Sequence, residues 1–135
     1  MQIGYTGRRA VTWFRFSPKV EWAKIMVGHR IIAYRVFWAD NFWTRLIGLL
    51  GREYLPSGEC LILRPCRQIH TIGMGFPIDV VFLDREWHVV GAIKNMPPGR
   101  ISPFFKDATM AIEFKGGSLP NMAPGERLVF DRTDK

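Results

Sequence analysis

The chain has 135 residues, 47% of them hydrophobic and 23% charged, enough for one domain with a real core. Two cysteines are too few for a disulfide scaffold, so packing must hold the fold. No stretch approaches the roughly 18 apolar residues of a membrane helix, and Arg15 and Lys24 interrupt the two apolar stretches that could serve as a secretion signal, so the sequence as given reads as cytoplasmic.

The formal charge of +7 first suggests nucleic acid or an anionic membrane as partner. Its distribution weakens that reading. Residues 1–35 carry seven Lys/Arg and one Glu, a balance of +6, whereas residues 36–135 carry twelve Lys/Arg and eleven Asp/Glu, a balance of +1. The basic character belongs to an N-terminal arm, residues 1–28, with no clean hydrophobic period. This arm reads as a frayed terminus or as an extension upstream of a start at Met26. A functional alternative is an anchor on anionic lipid or nucleic acid, in which Arg8, Arg9, Arg15 and Lys19 supply charge beside Trp13, Phe14, Phe16 and Trp22.

The domain proper is expected over residues 29–132. His29 to Trp38 is the first strand. Asp40 or Asn41 can cap a helix over residues 41–50, where Phe42, Trp43, Leu46, Ile47 and Leu50 form one apolar stripe and Gly51 fits a C-terminal stop. Cys60 to Leu63 is a short strand broken by Arg64-Pro65, and Gln68 to Ile72 is extended. Ile78 to Ile93 reads as a β-hairpin around Asp84-Arg85-Glu86. Its first strand has four consecutive apolar residues (80–83) and no polar face, the pattern of a strand buried on both sides. Asp79 sits at the head of that run, where a carboxylate must be hydrogen-bonded or paired. A single helical turn is expected at 104–108, a strand containing Glu113 at 109–114, and a last strand at 127–130. The sum is a mainly β domain: a compact antiparallel sandwich or partly open, jelly-roll-like barrel with one amphipathic helix.

Several stretches carry a resemblance: Arg45…Gly48-Leu49-Leu50-Gly51-Arg52, Pro65-Cys66, His70-Thr71…Gly73-Met74, Phe76-Pro77-Ile78-Asp79-Val80-Val81-Phe82-Leu83-Asp84, Ile112-Glu113…Gly117, and Gly125 with Leu128. Together, over about 30–132, they resemble the domain of unknown function family 192, also called uncharacterised protein family 0127. The resemblance implies a compact, mainly β, sandwich-like domain and no activity. Many members carry an export signal or lipid anchor, which leaves envelope association open. A basic residue usually follows the motif methionine; here Gly75 does, against an anion-binding role for that position.

The residues that could carry chemistry fall into two sets. Cys60, Cys66 and His70 invite a metal or thiol reading. An extended 66–70 spans about 13 Å at roughly 3.3 Å per residue, too far for one ion or for a nucleophile and its base. Buried thiols and a hydrogen-bonded imidazole are expected, with no metal and no cofactor. The second set is Arg52, His70, Thr71, Met74, Asp79 and Glu113. Asp79 beside a guanidinium would hold the sheet to the helix end. The same residues could line a shallow polar pocket for a small polar ligand or glycan, or the two carboxylates with His70 could serve a hydrolase. The reading preferred is a non-catalytic, monomeric binding or accessory module for a small polar ligand or a protein partner. The hydrolase and the basic-arm binder stand as alternatives.

Overall fold

In the computed structural model, residues 19–39 and 55–132 are described. They form seven strands: β1 Lys19–Val27, β2 Arg30–Ala39, β3 Glu59–Leu63, β4 Ile78–Leu83, β5 Val89–Met96, β6 Met110–Lys115 and β7 Leu128–Asp131. All belong to one sheet in the order β5-β4-β6-β3-β2-β1-β7. The sheet curls into a half-barrel whose two edge strands approach at one end. There His88 bridges Arg127, Val89 donates to the Glu126 carbonyl at 2.7 Å, and Leu128 donates to the Trp87 carbonyl at 2.9 Å.

Burial follows from period-2 alternation. The inner face collects residues from every strand, among them Ala23, Ile25, Val36, Trp38, Cys60, Ile62, Val81, Leu83, Ile112, Phe114 and Leu128. The outer face of the middle strands carries Phe37, Leu61, Leu63, Ile78, Val80, Phe82 and Ala111. The connecting segments roof it with Leu55, Ile69 and Ala108. Strands β3 and β4 are therefore buried at every position, as the unbroken apolar runs of the sequence require.

Four expectations need correction. The sheet begins inside the stretch read as an arm: Lys19–Val27 pairs with β2 on one side and β7 on the other. The period was hidden there because the inner face takes Glu21 and small Ala23 while the outer face takes Val20 and Trp22. Met26 lies within this strand. Second, the sheet is mixed rather than antiparallel throughout, because β2 and β3 run parallel. Residues 40–58 between them supply the length that a parallel crossover needs. Third, the expected helical turn at 104–108 is a tight turn closed by Ala108 N–H on the Phe105 carbonyl at 3.0 Å. Fourth, Asp79 has main-chain partners in place of a guanidinium, as described below. The helix expected over 41–50, Arg52, and Arg8, Arg9 and Arg15 lie outside the described residues. Among the described residues no helix is long and apolar enough to cross a membrane.

Candidate functional site

Asp79 enters the sheet shortly after Pro77 and shares the inner face with Val81 and Leu83. It is fully buried. Its Oδ1 accepts the main-chain N–H of Asn95 at 2.7 Å and of Gly117 at 2.9 Å, and its Oδ2 accepts that of Leu119 at 2.8 Å. Three charge-assisted bonds satisfy a carboxylate that would otherwise be costly to bury. They also tie the end of β5 to the turn after β6. That turn needs Gly117, whose φ of +84° is left-handed, and Asn95 opposite it has a φ of +52°. Asp79 is thus the keystone of the loop Gly116–Leu119.

Glu113 is also buried but lies across the sheet from Asp79. In the β4–β6 register Val80 pairs with Glu113 and Asp79 with Phe114. Glu113 therefore shares the outer face with Val80 and Leu61, while Asp79 shares the inner face with Phe114. The sheet itself separates the two carboxylates, and no common substrate could reach both.

His70 is exposed, and its main chain bridges Ile101. Thr71 is completely buried; its hydroxyl donates to the Pro97 carbonyl at 2.6 Å and accepts the Arg100 N–H at 2.9 Å. Ser102, which the sequence did not single out, makes the equivalent link on the other side of His70. Its hydroxyl accepts the Ile69 N–H at 3.0 Å and donates to the Pro103 carbonyl at 2.8 Å. These two hydroxyls clip segment 68–72 onto segment 97–103. Met74 is half-buried against the outer-face cluster. The residues expected to line one pocket are thus dispersed: Asp79 inside, Thr71 in a clip, His70 at the surface, Glu113 on the opposite face.

The cysteines are also separated. Cys60 packs on the inner face and burial pushes its thiol well up from the usual cysteine range. Cys66 packs against the outer face, with its thiol on the Gln68 carbonyl at 3.3 Å. Neither forms a disulfide, and the sheet lies between them. Among the described residues no three His, Cys, Asp or Glu groups converge as metal ligands.

Two surface carboxylates are perturbed. A hydrogen bond from Arg132, helped by the Trp38 indole N–H at 2.8 Å, holds Glu21 below its ordinary value. Burial pulls Asp84 upward, but the N–H groups of His88 and Glu86 together outweigh it and hold that carboxyl low. Asp84 shapes the β4–β5 turn, where Trp87 takes a φ of +69° and stacks on Phe130 at 5.4 Å.

The accessible features lie elsewhere. The hollow of about 420 Å³ beside Pro65–Gln68 is floored by Ala108 and Thr109. A second, of about 370 Å³, lies between the β1–β2 end of the sheet, Ser57-Gly58 and the Asp79-tethered Gly117-Ser118. Beside it Trp22 and Tyr34 stand exposed, rings near-parallel at 11°. This pair is not evident from sequence, where Trp22 falls in the apparent arm. The outward alternation of Val20, Trp22 and Lys24 was the available signal.

A family model described as "Uncharacterized ACR", DUF192, matches residues 23–130. The chain belongs to the DUF192 family. No curated protein matches it. Two crystal structures share the fold of this DUF192 chain. One is a protein of unknown function from Novosphingobium aromaticivorans, 18% identical, with a TM-score of 0.69 over 79% of this chain and 82% of the other. The second, from Sinorhizobium meliloti and provisionally described as a transcription regulator, is 17% identical, with a TM-score of 0.73 over 84% of this chain and 95% of its own. At these identities the likeness concerns the fold alone.

Proposed function

We propose that this DUF192 domain is a non-catalytic binding or accessory module for a small polar ligand. One observation carries the reading: the only deeply buried acid beside a glycine-rich loop, among the described residues, has its oxygens occupied by three main-chain N–H groups. An acid so engaged and fully buried organises a loop and is closed off from any substrate. The separation of Asp79 from Glu113 by the sheet supports the same reading over a hydrolase that uses both. The test is a thermal-shift screen of saccharides, nucleotides and metal ions, run beside turnover assays on ester and glycoside substrates. A binding module gives a ligand-dependent rise in Tm with no turnover, since ligands of the folded form stabilise it by mass action. Turnover abolished by Asp79→Asn or Glu113→Gln, in variants that remain folded, refutes it.

A further inference from the structure

The outer face of the sheet is roofed over β3, β4 and β6 but bare where β7, β1 and β2 run side by side. Val20 and Trp22 alternate outward on β1. The register shift after Trp22 carries the pattern to Met26, which pairs with Ile31 on β2 and with Val129 on β7. The N–H groups of Tyr34 and Arg35 both reach the Gly58 carbonyl, at 2.8 and 3.2 Å, a bulge that turns Tyr34 onto the same face. Val20, Trp22, Ile31, Tyr34 and Val129 are each 45–60% exposed; among the described residues, only Ile72, Ile101 and Phe104 are comparable apolar side chains in the open. Together the five present roughly 500 Å² to solvent, at the upper end of what a monomer leaves uncovered. The two rings are not open platforms. Trp22 stacks on Tyr34 with centroids 6.2 Å apart and carries the Arg35 guanidinium at 5.3 Å, while Tyr34 lies on the backbone of Gly58.

Charge on this margin is positive. Lys19, Lys24, Arg30, Arg35 and Arg132 stand against Glu21, Glu59 and Asp131, a balance of +2. Arg35 pairs with Glu59, Arg132 with Glu21, and Lys24 stands opposite Asp131 in the β1–β7 register. Arg30 lines the hollow of about 370 Å³, whose other walls hold no acid. Residues 1–18, which lead into β1, add Arg8, Arg9 and Arg15 and no acid, so the balance reaches +5. Exposed aliphatic and aromatic side chains among cations suit an anionic surface with an apolar layer beneath it. A second copy would set the positive margin against itself across a twofold axis. Single-stranded nucleic acid needs open ring faces for its bases and gains nothing from Val20, Ile31 and Val129. A protein partner would have to match the convex outside of a half-barrel over about 800 Å², whereas a lipid surface conforms to it.

We propose that the outer face of β7, β1 and β2 docks on an anionic membrane surface, with Val20, Trp22, Ile31, Tyr34 and Val129 entering the headgroup layer and Lys24 and Arg30 meeting the lipid anions. Docking here is independent of the small-ligand reading. The experiment is co-sedimentation of the full chain with vesicles of phosphatidylcholine alone and of phosphatidylcholine containing about 30% phosphatidylserine. The chain should bind the mixed vesicles and not the neutral ones, and added salt should release it. Trp22→Ala should weaken binding at least tenfold, and Lys24→Gln and Arg30→Gln about fivefold each. Phe104→Ala, at an exposed ring elsewhere, should leave it unchanged. Because Trp22 and Arg30 are exposed, their variants should retain the wild-type circular dichroism spectrum. Failure to bind the mixed vesicles overturns the inference, as does equal binding to both kinds. Binding that survives both Trp22→Ala and Arg30→Gln also overturns it, by assigning the affinity to residues 1–18 alone. If vesicles stay unbound and the same substitutions instead abolish a dimer in solution or binding to a single-stranded DNA 20-mer, the face has another occupant and membrane docking falls.

Discussion

Asp79→Asn tests whether the buried acid organises the loop. The side chain keeps its shape. With its carbonyl oxygen in the place of Oδ1, the N–H groups of Asn95 and Gly117 keep an acceptor, but a neutral one. The amide nitrogen replaces Oδ2 and turns a donor toward the Leu119 N–H, which loses its partner. A bond to a charged group contributes roughly 1.5–3 kcal/mol net of exchange with water, and a neutral bond roughly 0.5–1.5. Weakening two such bonds costs about 2 kcal/mol, and stranding the third amide about 2 more, so stability should fall by about 4 kcal/mol. For a chain of this length that lowers Tm by roughly 14 °C. Thermal and urea unfolding followed by circular dichroism measure the total, and hydrogen exchange locates it at Asn95, Gly117 and Leu119. A loss under about 1 kcal/mol, or unchanged protection at those three amides, would refute the keystone assignment.

Three further outcomes follow from named contacts. Glu21 is held below its ordinary pKa of 4.5, so its share of stability is complete above that value and is lost as pH falls through the lowered folded value; Glu21→Gln should therefore lower Tm at pH 6–8 and flatten the acid limb of a Tm-versus-pH curve, so that variant and wild type converge below about 4.5. Gly91→Ala places a Cβ 2.3 Å from the Phe105 ring, which packs on Phe82 at 4.3 Å; the overpacking should cost about 1–3 kcal/mol in urea unfolding. With a thiol reagent at neutral pH, native protein should titrate at Cys66 well before Cys60, which should react only on unfolding, while a Cys60–Cys66 disulfide detected by mass would contradict their placement on opposite faces.

The central hairpin was legible because its chemistry is local. Residues 80–83 are all apolar, a turn follows, and β4 and β5 pair as the alternation demands. Strands β2, β3, β6 and β7 were readable for the same reason. β1 was not, because its inner face carries Glu21, which is satisfied by Trp38 from β2 and Arg132 from beyond β7, and no local pattern announces a partner 111 residues away. The parallel β2–β3 pairing was equally hidden, since a strand's neighbours are set by the whole sheet. Asp79 was recognised as needing partners. Their identity was out of reach, because all three are main-chain N–H groups, and a backbone amide looks the same under every side chain.

The two-sided burial of this sheet decides where recognition can occur. A half-barrel with a packed inner face offers ligands only its outer face, and loops roof that face over β3, β4 and β6. Among the described residues one open stretch is the β1–β2 margin, where Trp22, Tyr34 and Val20 meet solvent. The keystone acid reaches this margin indirectly. Asp79 fixes Gly117, Gly117 and Ser118 wall the hollow, and Tyr34 closes its other side over Gly58. A residue buried on the inner face thereby sets the shape of an outer surface without touching anything bound there. Asp79→Asn should accordingly raise hydrogen exchange at Gly117 and Ser118, whereas Trp22→Ala, at an exposed ring, should leave those loop amides protected. Only the first variant reshapes the hollow.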